Sequence, residues 1–144
     1  MVRDAAEQTA LWQVLKAEEK KKAGKVRRTL DGVPVALPAL LRAQRLGEKA
    51  AGVGFDWPDI AGVRDKVREE LAELDEAMEQ NDLAAITHEL GDLLFTLTRL
   101  SAKLGIGPEE ALRQANRRFC QRFNGMEDSV RSEEHTSELQ SRQC

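Results

Sequence analysis

The chain has 144 residues, a formal net charge of −3, and 41% hydrophobic but only 4% aromatic residues. This length suits one domain with a modest core, and the near-neutral charge gives no electrostatic reason to expect a nucleic acid or an acidic membrane as a partner. The sequence shows neither the apolar stretch of a signal peptide nor the roughly 20 apolar residues that cross a bilayer. We therefore expect a cytoplasmic protein with no nucleic-acid or membrane partner.

The two ends of the sequence differ from its centre. Residues 1–37 contain the basic cluster AEEKKKAGKVRR and then TLDGVPVAL, which predict a linker helix and a turn before the domain proper. Residues 131–141, RSEEHTSELQS, resemble the in-frame translation of a sequencing adapter. We therefore expect 129–144 to be a non-native tail that replaces the natural C-terminus. The domain itself is expected to cover 38–128.

Apolar residues recur at helical spacing from residue 38 onward, and no segment alternates as a strand does. The predicted helices cover about 38–51, 58–80 and 83–104, and a fourth begins at Pro108. The second helix carries the stripe Ile60, Val63, Val67, Leu71, Leu74 and Met78. The third carries Leu83, Ile86, Leu90, Leu93, Leu94, Leu97, Leu100 and Leu104. These patterns predict an all-α fold.

The break between the second and third helices is only two to four residues long. Such a short connection makes the two helices antiparallel neighbours, as in helical bundles, and we expect their apolar stripes to face each other. The predicted fold is therefore an antiparallel helical bundle.

Two acidic pairs, Glu70-x-x-Glu73 and Glu89-x-x-Asp92, lie on these two helices. Residues three apart share a helix face, so each pair directs its carboxylates to one side, and antiparallel packing brings all four together. At this distance carboxylates repel one another, and partial burial adds to the cost unless a cation compensates. Ordinary surface charges paired with nearby basic side chains are the alternative.

Ligation by oxygen atoms alone favours a hard ion such as Mg²⁺, with Mn²⁺ as a substitute, over zinc. Magnesium held by a few carboxylates keeps positions open for water and phosphate oxygens, so the pattern indicates phosphate chemistry. Lys66, four residues before Glu70, lies on the acidic face, and Arg118 and Arg122 share one face of the fourth helix. Arginine binds phosphate oxygens in a bidentate manner, so these three residues are candidate phosphate ligands.

Four blocks of the sequence resemble, in order, the MazG nucleoside triphosphate pyrophosphohydrolase family. They are LPALLRAQRLGEKAAGVGFDW at 38–57, KVREELAE at 66–73, ELGDLLF at 89–95 and ANRRFCQRF at 115–123. The resemblance is to the C-terminal domain of two-domain bacterial members. It implies that an N-terminal domain is missing before the basic segment, and that the bundle is of the all-α NTP pyrophosphatase type.

The resemblance also implies a function: Mg²⁺-dependent hydrolysis of a nucleoside triphosphate to the monophosphate and pyrophosphate, as house-cleaning of nucleotide pools by a homodimer. The family's metal ligands fall on Glu70, Glu73, Glu89 and Asp92. Its basic residues fall on Lys66, Arg118 and Arg122, with Arg118 standing where the family often has lysine. We expect catalysis to depend on Glu70, Glu73 and Lys66, and substrate binding on the three basic residues.

Two other functions fit the same sequence. One is a non-catalytic helical module, in which the apolar stripes form a dimer interface and the acids line its solvated rim. The other is a pyrophosphatase selective for dUTP or dCTP, which differs only in the choice of base. Pyrophosphate release from a panel of nucleotides distinguishes all three.

Overall fold

A computed structural model describes residues 9–14, 16 and 27–134. Much of the predicted linker helix and most of the predicted tail, residues 135–144, therefore lie outside the described residues. Those at 9–14 are helical, and four longer helices follow: α1 (Ala39–Gly52), α2 (Ile60–Glu79), α3 (Leu83–Lys103) and α4 (Pro108–Glu133). No strand occurs in the described ranges, so the predicted all-α class is confirmed.

The starts of α2 and α3 and the end of α3 have local chemical causes. The Asp59 side chain accepts a hydrogen bond from the Gly62 amide at 2.8 Å and caps α2, so this helix begins at Ile60, two residues after the predicted start at 58. Asp82 caps α3 in the same way. Gly105, with a φ of 71°, follows α3 in the left-handed conformation that glycine adopts most easily.

The chain divides into two compact units, residues 1–108 and 109–144. In the first unit α3 is the central helix, because it packs along α2 and also against α1. Residues 80–82 join α2 to α3, and this short connection makes the two helices antiparallel neighbours, as predicted. We call this pair the α2–α3 hairpin. Its best-buried apolar side chain is Val63, which is fully inaccessible to solvent.

The leucine stripe of α3 is divided between two faces, which corrects the prediction that the whole stripe faces α2. Ile86, Leu93 and Leu100 are half-buried. The others are exposed by 42–77%, at spacings of seven, four, three and seven residues: Leu83, Leu90, Leu94, Leu97 and Leu104. We call these five the outer leucine stripe. Polar side chains, Thr96, Thr98 and Arg99, take buried places on α3 instead. Thr96 and Thr98 lie about 160° apart around the helix axis, so α3 is covered on more than one side.

The second unit consists largely of α4. Pro108 occupies its first turn, and Glu109 and Glu110 follow it, where carboxylates favour the helix dipole. Phe119 and Phe123 stack at 6.3 Å between ring centroids and remain exposed by 68% and 48%. The fourth helix begins at Pro108, as predicted.

Candidate active site

Three glutamates from the α2–α3 hairpin form one cluster. Carboxylate oxygens of Glu70, Glu73 and Glu89 all lie within 4.8 Å of one another. Glu70 and Glu73 are one turn apart on α2, and the antiparallel packing of α3 brings Glu89 opposite them. We call these three residues the acidic cluster. Three of the four acids that the two pairs predict to converge therefore lie together, and Asp92 is not among them.

Burial makes this cluster unlike an ordinary acidic surface. Glu70 is only 5% exposed. The Oε2 atoms of Glu70 and of Glu89 are both buried and have no hydrogen-bond partner among the described residues. Buried polar atoms are normally paired, and leaving a charged one unpaired costs free energy. The cluster therefore has oxygen atoms available for a cation, and an all-oxygen donor set fits Mg²⁺ or Mn²⁺.

Lys66 balances part of the negative charge. Its Nζ lies 3.1 Å from Glu70 Oε1 and 3.1 Å from Glu69 Oε1. These contacts, first with Glu70 and then with Glu69, raise the pKa of Lys66, which keeps the ammonium group charged. The helix-surface ion pair considered from sequence is therefore present at Lys66, yet it leaves Glu70 Oε2 without a partner.

Repulsion within the cluster is evident at Glu73. Partial burial, together with the neighbouring carboxylates of Glu89 and Glu70, raises the pKa of Glu73. Glu73 consequently retains a proton to higher pH than an isolated glutamate does. Since a metal ion competes with that proton for the same oxygen, cation binding by this cluster releases protons as it proceeds.

Asp92 is placed differently from the three glutamates. It is not one of the residues whose oxygens lie within 4.8 Å of one another. Its Oδ2 lies 3.2 Å from His88 Nε2, one turn earlier on α3, and its side chain is 48% exposed. The i, i+4 spacing of His88 and Asp92 is visible in the sequence and could have indicated this pairing. Asp92 is therefore on the predicted helix, one turn from Glu89, but turned toward His88.

The two predicted arginines belong to the second unit. Arg118 and Arg122 are exposed on α4, four residues apart on one face, and within the described residues neither makes an ion pair. Arg117, in contrast, lies 3.5 Å from Glu110. The roles of Arg118 and Arg122 in phosphate binding remain predictions.

A buried ion cluster that the sequence does not suggest lies in the same unit as the acidic cluster. Asp56, in the loop before α2, contacts Arg99 and Lys103 near the end of α3. Arg99 stands in the leucine-rich stretch TLTRL, where hydrophobic periodicity gives no reason to single out a charged residue. Only the approach of the loop to α3 identifies these residues as partners.

Three cavities lie elsewhere in the described part of the first unit, and two of them differ clearly in their lining. One, of about 610 Å³, is lined by Trp12, Lys16, Arg28 and Lys49 among others. The other, of about 370 Å³, is formed by the loop from Gly54 to Pro58. Neither is lined by a glutamate of the acidic cluster.

Comparison with known proteins places this geometry in context. A family described as phosphoribosyl-ATP pyrophosphohydrolase matches residues 56–119, a range that contains the acidic cluster, Lys66 and Asp92. The chain is 44% identical over 119 residues to the nucleoside triphosphate pyrophosphohydrolase/pyrophosphatase MazG of Thermotoga maritima. It is 40% identical over 129 residues to the nucleoside triphosphate pyrophosphohydrolase of Escherichia coli K12. An uncharacterized Bacillus subtilis protein, YabN, is 39% identical over 136 residues.

These alignments cover most of this chain but only part of each relative. They include 83% of the chain and 45% of the Thermotoga protein, and 88% of the chain and 49% of the Escherichia coli protein. For YabN the shares are 92% and 27%. The chain thus spans about half the length of the curated pyrophosphohydrolases that it matches.

In the described part of the chain, no helix combines the length and apolar character needed to cross a bilayer.

Proposed function

The chain carries a MazG-like domain, and we propose from this premise that it is a Mg²⁺-dependent nucleoside triphosphate pyrophosphohydrolase. The products are a nucleoside monophosphate and pyrophosphate. The observation that carries the proposal is the acidic cluster, in which three carboxylates converge and two buried oxygen atoms lack partners. Such a site favours a divalent cation, and a divalent cation at an open carboxylate site favours phosphate chemistry.

Glu70, Glu73 and Glu89 would hold the cation, and a rotation of the Asp92 side chain away from His88 would add a fourth carboxylate. When bound, Mg²⁺ supplies positive charge next to phosphate oxygens and acidifies a coordinated water. Mn²⁺ prefers similar oxygen ligands and would substitute for it.

The side chains around the cluster supply the remaining steps. In hydrolysis the water oxygen forms a bond to phosphorus, the bridging P–O bond to the leaving group breaks, and the water loses a proton. We assign Glu73 as the acceptor of that proton, because it combines a place in the cluster with partial exposure. Lys66, bound to Glu70, would stabilise the negative charge that develops on the phosphate oxygens.

Arg118 and Arg122 are the proposed phosphate ligands on α4. Their guanidinium groups stay charged at all physiological pH values and match phosphate oxygens in a bidentate manner. Both are exposed on α4, so neither must be removed from a competing ion pair within the described residues before it binds phosphate. We propose that they hold the pyrophosphate part of the substrate.

A homodimer is part of this proposal. The outer leucine stripe follows seven-residue spacing along α3 and is 42–77% exposed in the single chain. Stripes with this spacing pack in pairs as a coiled-coil seam does, and a second copy of the chain supplies a matching stripe. We propose that the dimer acts in the cytoplasm to remove unwanted nucleotides from the nucleotide pool, and that its pyrophosphohydrolase domain covers 38–128.

The test is Mg²⁺-dependent release of pyrophosphate from a panel of ribo- and deoxyribonucleoside triphosphates. The panel includes dUTP, dCTP and also phosphoribosyl-ATP, because the family match at residues 56–119 favours the last as a second candidate substrate. We expect Glu70→Gln and Glu89→Gln each to reduce activity by about 100-fold or more, since a lost ligand removes several kcal/mol of metal-dependent stabilisation.

Glu79→Gln is the matched control, because it removes the same charge from an exposed position on α2 outside the cluster. It should retain wild-type activity. Equal activity of the Glu70→Gln, Glu79→Gln and wild-type proteins would exclude the acidic cluster as the active site. A folded wild-type protein with no activity on any nucleotide would instead favour the non-catalytic helical module.

A further inference from the structure

The open end of the α2–α3 hairpin is joined by a buried ion cluster. Asp56 lies in the loop before α2, and its Oδ2 is 2.9 Å from Lys103 Nζ on α3. Its Oδ1 is 3.4 Å from Arg99 Nη2. The three side chains are only 20%, 22% and 5% exposed, in the order Asp56, Lys103 and Arg99. We call these three residues the Asp56 clamp.

The burial of the clamp costs desolvation free energy, which distinguishes it from a surface ion pair. Arg99 is almost fully buried, and its Nη1 has no hydrogen-bond partner among the described residues. A buried ion pair with incomplete hydrogen bonding is often no more stable than apolar residues of similar volume. Space for Arg99 also depends on Gly47 of α1, where an added Cβ would lie 2.2 Å from Nη1.

Asp56 is ionised in this setting. Burial alone would raise its pKa, but the hydrogen bonds from Lys103 and from the Trp57 amide, with the charge of Arg99, lower the pKa below its usual range. A carboxylate held between two cations of α3 fixes the loop, and therefore the start of α2, against the end of α3. The attraction is strongest where solvent screens it least.

The position of the Asp56 clamp lets it oppose the repulsion among the carboxylates of the acidic cluster. Glu70 is about 15 Å along α2 from Ile60 and about 14 Å from Glu79, at a rise of about 1.5 Å per residue, so the acidic cluster lies near the middle of the hairpin. Its carboxylates repel one another across the space between α2 and α3. Residues 80–82 hold the helices together at one end of the hairpin. The clamp holds them at the other.

We propose that the Asp56 clamp sets the separation of the carboxylates on α2 from Glu89 on α3, so that Asp56, Arg99 and Lys103 are positioning residues for the divalent cation. This inference rests on the proposed function. Without the clamp the ligands themselves remain, but the open end of the hairpin separates and the cation binds a less organised site.

The experiment is a Mn²⁺ titration of the protein without nucleotide, in which free Mn²⁺ is measured by electron paramagnetic resonance at a temperature where every variant is folded. We expect Asp56→Asn to raise the dissociation constant for Mn²⁺ about 10-fold, as is typical when a group that orients metal ligands is lost. Because the ligands are intact, saturating Mn²⁺ should restore kcat to within about twofold of the wild type.

Two control variants distinguish the loss of the clamp from the loss of one negative charge and from a loss of protein stability. Asp65→Asn removes one negative charge from an exposed site on α2, closer in sequence to the cluster than Asp56 is. Thr98→Ala removes a buried hydroxyl beside Arg99 that donates to the Phe95 carbonyl at 2.6 Å. Both should keep Mn²⁺ affinity within about twofold, although Thr98→Ala should lower the midpoint of chemical unfolding. Arg99→Lys, which keeps the charge, should lie between Asp56→Asn and the wild type.

The results distinguish this inference from the function on which it rests. If the wild type binds Mn²⁺ through Glu70 and Glu89 but Asp56→Asn binds it as tightly as Asp65→Asn does, the positioning role is wrong and the metal site stands. If Glu70→Gln leaves Mn²⁺ binding unchanged, both proposals are wrong. Should Asp56→Asn not fold, Lys103→Gln replaces it, because it breaks the more exposed half of the clamp with the same expected direction.

Discussion

Gly47 and Arg99 show how one residue determines what its neighbour can be. Arg99 is 4% exposed near the end of the otherwise leucine-rich helix α3. Its guanidinium group lies against Gly47 of α1, where an added Cβ would meet Nη1 at 2.2 Å, Cδ at 2.6 Å and Cζ at 2.7 Å. Contacts of this kind cannot be relieved by moving a flexible tip, since the arginine is buried. Glycine at position 47 is therefore required for the packing of α1 on α3.

We expect Gly47→Ala to destabilise the protein by about 1–3 kcal/mol, the usual effect of forcing extra atoms into a packed site. Gly125→Ala is the comparison, because a Cβ there would meet nothing within 4 Å and alanine favours a helix by about 0.5–1 kcal/mol. Urea unfolding followed by circular dichroism measures both. Equal stabilisation by the two alanines would show that Arg99 does not occupy this space.

Among the secondary-structure elements, the short connection between α2 and α3 has a large effect on how the two helices are aligned. Asn81 adopts a φ of 52°, and Asp82 accepts hydrogen bonds from the Ala84 and Ala85 amides at 3.1 and 3.3 Å. These features end one helix and begin the next within three residues. The close connection sets which residues of α2 and α3 stand opposite each other, and so brings Glu89 to Glu70 and Glu73.

Asp82→Ala removes this cap and should destabilise the protein by about 1 kcal/mol. Asp82→Asn keeps an oxygen that accepts the same bonds and should stay within a few tenths of a kcal/mol of the wild type. Asp75→Ala provides a control for loss of an exposed carboxylate on α2. The midpoint of chemical unfolding measures all three, and an asparagine variant as unstable as the alanine variant would argue against the cap.

In a single chain, the side chains of the outer leucine stripe of α3 are exposed to solvent. Burial of large apolar side chains is the main favourable contribution to folding and association, and a regular exposed stripe of this kind is characteristic of an interface. The best-buried positions of the first unit include small or polar residues such as Ala77, Thr96 and Thr98. Much of the apolar surface on α3 is therefore available to a second copy.

We expect the wild type to be a dimer with twice the chain mass of 16.1 kDa. Leu94→Glu should weaken the dimer by about 100-fold or more, because a charge would be buried in the seam without a partner. Val35→Glu introduces the same charge at an apolar residue that is 84% exposed outside α3, and should leave the dimer intact. Light scattering after size-exclusion chromatography measures the mass of the wild type and of both variants in solution. A dimeric Leu94→Glu protein would exclude this interface.

Sequence reasoning alone was sufficient to locate the helices and to predict that Glu70, Glu73 and Glu89 lie close together. Hydrophobic period and capping residues identified four helices to within two residues at the boundaries that were predicted, because both are local properties of the chain. The three-residue spacing of Glu70 and Glu73, with a short connection to α3, was enough to predict a shared acidic site. The resemblance to MazG proteins, carried by ordered blocks of residues, agrees with the identity of 40–44% to relatives named nucleoside triphosphate pyrophosphohydrolases, and the activity of this chain is proposed from it.

The rotation of each helix about its own axis depends on tertiary packing and could not be predicted from the sequence. Leu90 and Leu93 follow one pattern in the sequence, yet Leu90 is exposed and Leu93 is half-buried, because α3 must face both α1 and α2 at once. The same packing buries Arg99 and brings Asp56 to it from 43 residues away in the numbering. Periodicity describes which residues share a helix face, but the neighbours that cover that face come from distant parts of the chain.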